Sequence, residues 1–209
     1  MRRILWLVLL WLGCAGAAAA APGKTVLVLG DSLSAAHNIA AAQGWVHLLE
    51  VRLADMEPGW TAINASISGE TSLSGRNRLP ALLEKYHPGV LVLELGANDG
   101  LRGLSLNQLR DNLAAMVSAA QATHAKVLLL GIELPVNYGP QYRDGLRAVY
   151  AELARDKRTA LVPFLLEGVA TDASLMQDDG LHPTAAGEPK VLDNVWNALR
   201  PLLHGSAKQ

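Results

Sequence analysis

The stretch Thr25-Val26-Leu27-Val28-Leu29-Gly30-Asp31-Ser32 is a short run of Val and Leu that stops at a glycine and turns polar at once. Continuous rather than alternating apolarity predicts a strand buried on both faces, as in a parallel sheet. Val90–Leu95 and Lys126–Gly131 repeat the pattern, Leu161–Phe164 gives a shorter version, and Trp60–Ala65 a weaker one. Between them lie stretches predicted to be helical: Trp45–Met56, Leu79–Tyr86, Leu106–Ala122, Tyr142–Arg155 and Thr184–Leu203. In the third of these, Leu106, Leu109, Leu113, Met116 and Val117 share one face while Gln108, Arg110 and Asp111 point away. Strands and helices in alternation predict a three-layer, doubly wound α/β domain with right-handed crossovers.

The 209 residues are 50% hydrophobic, 5% aromatic and 18% charged, with 18 Lys+Arg against 19 Asp+Glu. That is one domain's worth of chain, large enough to be stable without disulfides or a structural metal. The near-neutral balance excludes a basic nucleic-acid binder, and the apolar fraction excludes disorder. Met1-Arg2-Arg3, the apolar run Ile4–Leu12 and the small residues Ala15–Ala21 read as a secretory signal peptide. Cleavage is expected after Ala20, leaving residues 21–209 as a periplasmic or secreted domain with 16 basic and 19 acidic residues. Two other readings of the leader stay open. Ile4–Ala21 is just long enough for a membrane anchor, though weakly apolar in its second half. Gly13-Cys14 suggests a lipoprotein signal, though Trp11 stands where such signals carry Leu. Cys14, the only cysteine, leaves with the leader, which excludes a cysteine nucleophile and a Cys-based metal site. The common metalloprotease and nucleotide-binding signatures are absent.

In a doubly wound sheet, function collects at the carboxyl ends of the strands. There the chain places Gly30-Asp31-Ser32-Leu33-Ser34, then Asn64-Ala65-Ser66-Ile67-Ser68-Gly69-Glu70-Thr71-Ser72, then Gly96-Ala97-Asn98-Asp99-Gly100, and downstream Asp178-Asp179-Gly180-Leu181-His182-Pro183. Singly, each has a plain structural reading as a helix cap, a turn or a loop. In this order they hold every part of an acyl-transfer site. A serine hydroxyl is a poor nucleophile unless an imidazole takes its proton, and the imidazole needs a carboxylate to fix its tautomer. Ser32 and His182 fill the first two roles. Asp179 is preferred over Asp178 as the carboxylate because three residues allow it to fold back onto the ring. The backbone N–H of Ser32, the backbone N–H of Gly69 and the side-chain amide of Asn98 supply donors for an oxyanion.

These four blocks resemble those of the SGNH (GDSL) hydrolase family and span nearly the whole chain behind the leader. Asn64–Gly69, Asn98–Gly103 and Leu134-Pro135-Val136-Asn137-Tyr138-Gly139 resemble its bacterial periplasmic thioesterase, lysophospholipase and arylesterase subfamily. The resemblance implies a flavodoxin-like five-stranded parallel sheet of order 2-1-3-4-5, broad hydrolysis of esters and thioesters, and the roles just given to Ser32, Gly69, Asn98, Asp179 and His182. It also implies that Asp99–Leu104 is a switch loop over the acyl chain, with Leu101 on one side and Leu134, Pro135 and Tyr138 as the facing wall. The plain alternative is a turn in which Tyr138 covers the sheet edge. An apolar wall predicts medium to long acyl chains. Glu70, where Asp is expected, and Gly187-Glu188-Pro189, at the start of the last helix, depart from the family pattern. His37 follows Ser32 by five residues and could line the mouth of the site, but it, His47, His87, His124 and His204 all read as structural or solvated. The expected partners are small acyl esters or thioesters acted on by a monomer, with no cofactor, metal, nucleic acid or membrane span. The competing readings are a carbohydrate or peptidoglycan O-acetylesterase on the same fold and a non-catalytic binding protein.

Overall fold

The computed structural model describes residues 23–204, so the leader expected at 1–20 lies outside the described residues. The elements run β1 (Thr25–Gly30), α1 (Trp45–Met56), β2 (Thr61–Asn64), α2 (Ser72–Tyr86), β3 (Val90–Glu94), α3 (Ala97–Leu101), α4 (Leu106–Ala122), β4 (Lys126–Leu130), α5 (Pro140–Lys157), β5 (Ala160–Val162) and α6 (Glu188–Leu203). All strand pairs are parallel and the order is β2-β1-β3-β4-β5. This is the α/β sheet expected from the sequence.

The apolar runs explain the order. Val26–Leu29 and Val90–Leu93 are wholly excluded from water, in register Val26 to Val90 and Leu29 to Leu93. Both faces of the central strands are therefore covered, by α1 and α6 on one side and by α2, α4 and α5 on the other. The edge strand β2 is only partly buried, in keeping with its weaker sequence signal.

Element ends differ from the sequence reading where polar or proline residues obscure the period. Helix α2 begins at Ser72 rather than Leu79, capped by the Thr71 hydroxyl, which accepts from the Ser74 N–H at 3.4 Å. Its first turns are polar, and Pro80 sits inside the helix on an exposed position. Helix α6 begins at Glu188 rather than Thr184, because Thr184–Gly187 forms a turn and Pro189 opens the helix. Strand β5 stops at Val162, before Pro163, which has no N–H to donate.

The unusual Glu188 has a structural role. Helix α1 starts behind Gly44, which has no side chain to cap it. The Trp45 N–H instead donates to Glu188 Oε2 at 2.8 Å, and the Trp45 indole donates to the Leu33 carbonyl at 3.1 Å. Glu188 thus ties α6 to α1, and through Trp45 to the turn after β1. Burial pushes its carboxyl from 4.5 up to about 7, against the pull of the Trp45 N–H. A raised folded value means stability that is full below pH 4.5 and is lost as pH rises through about 7. The loss is on the order of 3 kcal/mol if the whole shift is expressed. Glu188→Gln keeps the acceptor oxygen without the charge. Across pH 4.5 to 7 its melting temperature is expected to fall less than that of the wild type, and an equal fall in both proteins would contradict this account.

Candidate active site

Ser32 follows the last residue of β1 by two positions, inside the tight turn in which the Ser34 and Ala35 N–H groups donate to the Asp31 carbonyl. Its Oγ lies 2.8 Å from His182 Nε2, and His182 Nδ1 lies 2.7 Å from Asp179 Oδ2. The acid and the imidazole arrive together. Met176 and Pro183 pair as an antiparallel bridge, so residues 177–182 form a closed tip. Within it, Asp179 Oδ1 accepts from the Leu181 N–H at 2.9 Å and the His182 N–H at 3.0 Å. Asp179 is the carboxylate that meets the ring, as the sequence preference had it; Asp178 is exposed and turned to no such contact among the described residues. Partial desolvation of Asp179 is outweighed by the Leu181 N–H, the His182 ring and the His182 N–H, which bring its carboxyl down from 3.8 to about 2. It stays ionised at any ordinary pH.

Asn98 opens α3 on the carboxyl side of β3. Its Nδ2 donates to Asp31 Oδ2 and to the Glu70 carbonyl, each at 3.1 Å, so the Ser32 turn, the Gly69 loop and α3 are joined at one amide. Gly69 has φ +81°, a left-handed conformation open to glycine, and a side chain there would meet nothing within 4 Å. The constraint is on the backbone rather than on space. Glu70, one methylene longer than the Asp expected there, is buried and reaches Arg78 through two oxygens at 2.7 and 2.6 Å, while Arg78 also holds the Ala65 carbonyl at 2.6 Å. Asp99 is scaffolding. It accepts from the Ser72 N–H at 2.8 Å and the Ser72 hydroxyl at 2.5 Å, and Asn112 donates to that hydroxyl at 3.0 Å.

Beneath the serine turn lie two carboxyls that are fully buried. Glu94 Oε2 accepts from the Asp31 N–H at 3.1 Å and the Ser34 hydroxyl at 2.8 Å, while Glu94 Oε1 has no partner among the described residues. Burial pushes Asp31 up to about 6, against the Leu33 N–H, Asn98 and His182, and it pushes Glu94 well above its usual value with Asp31 adding to the rise. Burial and the neighbouring Asp31 both favour the protonated form of Glu94.

Leu101, Leu134 and Pro135 line a cleft of about 550 Å³ that includes its open mouth, and Ser32, Asn98 and His182 line it too. Ile132, Phe164, Leu166 and Leu181 complete the apolar wall. These four were not picked out from the sequence, although Phe164 and Leu166 are apolar residues just past a strand end. Tyr138 is placed beside this wall rather than in it: its hydroxyl donates to the Leu101 carbonyl at 2.8 Å, so the residue supports the cleft from behind. The turn reading of this segment also holds, since Val136–Tyr138 is a single 3-10 turn. The expected switch loop is tied down at further points, by Tyr142 to the Leu104 carbonyl at 2.7 Å and by Arg102 to the Gly69 carbonyl at 3.1 Å. His37, read from the sequence as structural or solvated, stacks on His182 with ring centroids 4.3 Å apart. Its signal was its place five residues after Ser32.

The protonation of Glu94 can be tested directly. Glu94→Gln is expected to preserve ester turnover and to soften the loss of stability on raising pH above 4.5. Glu94→Ala strands the Asp31 N–H and the Ser34 hydroxyl and is expected to cost about 2–5 kcal/mol in chemical denaturation. Equal damage from both variants would mean that the carboxyl is ionised.

With this geometry in place, the known proteins that the chain is similar to can be set beside it. The profile of the GDSL-like Lipase/Acylhydrolase family matches residues 28–188. Esterase TesA of Pseudomonas aeruginosa is 54% identical over 183 residues, 88% of this chain and 91% of that protein. The thioesterase 1/protease 1/lysophospholipase L1 of Escherichia coli is 40% identical over 185 residues, 88% of each chain. The crystal structure of the psychrotrophic esterase EstA from Pseudoalteromonas, inhibited by monoethylphosphonate, superposes with a TM-score of 0.82 at 39% identity, covering 87% of this chain and all of that one. The family match spans the Ser32 turn, the Gly69 loop, α3 and the Asp179–His182 tip, and the chain belongs to the GDSL-like lipase/acylhydrolase, or SGNH, family.

Proposed function

We propose that the chain is a serine hydrolase that cleaves carboxylic esters and thioesters through an acyl-enzyme. The observation that carries this reading is the unbroken chain from Ser32 Oγ through the His182 ring to Asp179, with Ser32 and His182 lining an apolar cleft. His182 Nε2 takes the Ser32 proton as Oγ attacks the acyl carbonyl, and Asp179 holds the ring and balances the imidazolium. The Ser32 and Gly69 N–H groups and the Asn98 amide receive the oxyanion; at rest the two amide protons go to Asp31 and to the Glu70 carbonyl, and one of them turns to the oxyanion as it forms. The C–O or C–S bond then breaks, the leaving group takes the proton from His182, and water reverses the sequence to release the acid. The relatives named as esterases and as a thioesterase and lysophospholipase support the ester and thioester classes. Aliphatic walls at Ile132, Leu134 and Leu166 favour a fatty acyl chain over the acetyl group of a sugar ester.

A fluorophosphonate is expected to label the wild type and leave Ser32→Ala unlabelled, with Ser32→Ala turnover down by about 10⁴-fold or more. Labelling that survives the substitution removes the serine from the mechanism. Asn98→Ala is expected to lower kcat by roughly 10²- to 10³-fold. Rates on p-nitrophenyl esters should rise from acetate towards medium chains, and a monotonic fall from acetate rules out the acyl-chain reading. Asp179 titrates near 2, so it does not set any loss of activity between pH 4 and 7. For the proposed export, mass spectrometry of the secreted protein is expected to place its first residue at Ala21.

A further inference from the structure

We propose that His37, His182 and Asp179 together form a site for a zinc-class divalent cation, and that its occupation switches the hydrolase off. The inference rests on His182 being the general base proposed above. The mechanism makes no use of His37, yet His37 stands against the working ring.

One ligand atom from each of His37, Asp179 and His182 lies within 4.8 Å of the other two. Two of the three are already close, since Asp179 Oδ2 and His182 Nδ1 are 2.7 Å apart. Zinc binds imidazole nitrogen and carboxylate oxygen at about 2.0–2.2 Å, which puts tetrahedral ligand atoms roughly 3.3–3.5 Å from one another. To reach that spacing Asp179 Oδ2 and His182 Nδ1 part by roughly 0.6–0.8 Å and the His37 ring closes by up to about 1.5 Å, shifts that side-chain rotation supplies. Two imidazoles with one carboxylate suit zinc, copper or nickel better than magnesium or calcium, and three protein ligands leave the fourth position for water.

The backbone holds His37 at this point. Ala36 and Asn38, on either side of it, both have φ +56°, an uncommon conformation for residues other than glycine. The His37 carbonyl accepts from Gln177 Nε2 at 2.9 Å, and the same nitrogen donates to the Pro183 carbonyl at 2.7 Å. One side chain thus binds the His37 turn to the tip that carries Asp179 and His182. His37 and His182 are half-buried and Asp179 is at the surface, so an ion can enter from solvent without opening the fold.

The chemical consequence does not depend on which nitrogen of His182 is taken. Binding at Nδ1 displaces the bond to Asp179, and binding at Nε2 displaces the bond to Ser32. In either case the ring loses a lone pair or an orientation that proton transfer from Ser32 requires.

The test uses protein stripped with a chelator. Calorimetric titration with zinc chloride is expected to show one equivalent bound, with p-nitrophenyl ester turnover lost in parallel, restored by EDTA, and untouched by magnesium. His37→Leu and His37→Gln are expected to match the stripped wild type in turnover. Each should bind zinc at least about tenfold more weakly, as losing a ligand costs no less than the 10- to 100-fold lost with an outer partner, and inhibition should shift by the same factor. Absence of stoichiometric binding by the wild type, binding without loss of turnover, or wild-type inhibition in both variants would overturn the proposal. If stripped wild type neither turns over esters nor takes up a fluorophosphonate, the hydrolase reading fails, while the binding difference between wild type and His37→Leu still decides the cation site.

Discussion

Strand β1 lies inside the sheet, between β2 and β3, with both faces covered, and the polar groups at its carboxyl end must find partners inside the protein. The chain leaves Leu29, which is wholly excluded from water, and within five residues has to settle the Asp31 carboxyl and the Ser34 hydroxyl in the same dry region. A buried polar group without a partner costs about 1–3 kcal/mol, and a charged one more. The neighbouring strand β3 answers with Glu94, the residue paired with Gly30. Its carboxyl takes the Asp31 N–H and the Ser34 hydroxyl, and Asp31 is then free to organise Leu33 and Asn98. The position of Ser32 thus follows from how two adjacent parallel strands satisfy their ends.

From that point the site extends by short polar links between loops. Asn98 joins three of them. Asp99, Ser72 and Asn112 secure α3 to α2 and α4, and Glu70 with Arg78 closes the Gly69 loop from beneath. Such links fix geometry more than they add stability, because a buried ion pair only roughly recovers the cost of desolvating its charges. Placing the oxyanion donors to within a fraction of an ångström is what acyl transfer demands of a scaffold.

Much of this was legible in the sequence because each signal is local. The apolar runs set the strands by their continuity, and the spacing from Asp179 to His182 is short enough that the chain itself delivers the contact. Gly30-Asp31-Ser32 and Asn98 could be assigned because they fall at strand ends, where a parallel sheet puts its chemistry. The misplaced helix starts at Leu79 and Thr184 have the same cause in reverse: the caps at Thr71 and Gly187 lie among polar residues that carry no period. Tyr138, expected in the cleft wall, is not among the residues that line the cleft, and its hydroxyl turns to the Leu101 carbonyl, a partner 37 residues away.

By itself, the sequence determined the fold class, the strand order through its family resemblance, and the residues able to form a hydrolytic centre. Periodicity and residue chemistry along the chain carry that information. Tertiary structure alone decided that Glu188 caps a helix 143 residues away, that the buried Glu94 carboxyl lies under the Ser32 turn, and that the His37 ring lies against that of His182. These are effects of burial and of contact between distant segments. The charge state of a carboxyl and the neighbour of an imidazole depend on which groups folding brings around them, and no local pattern records that.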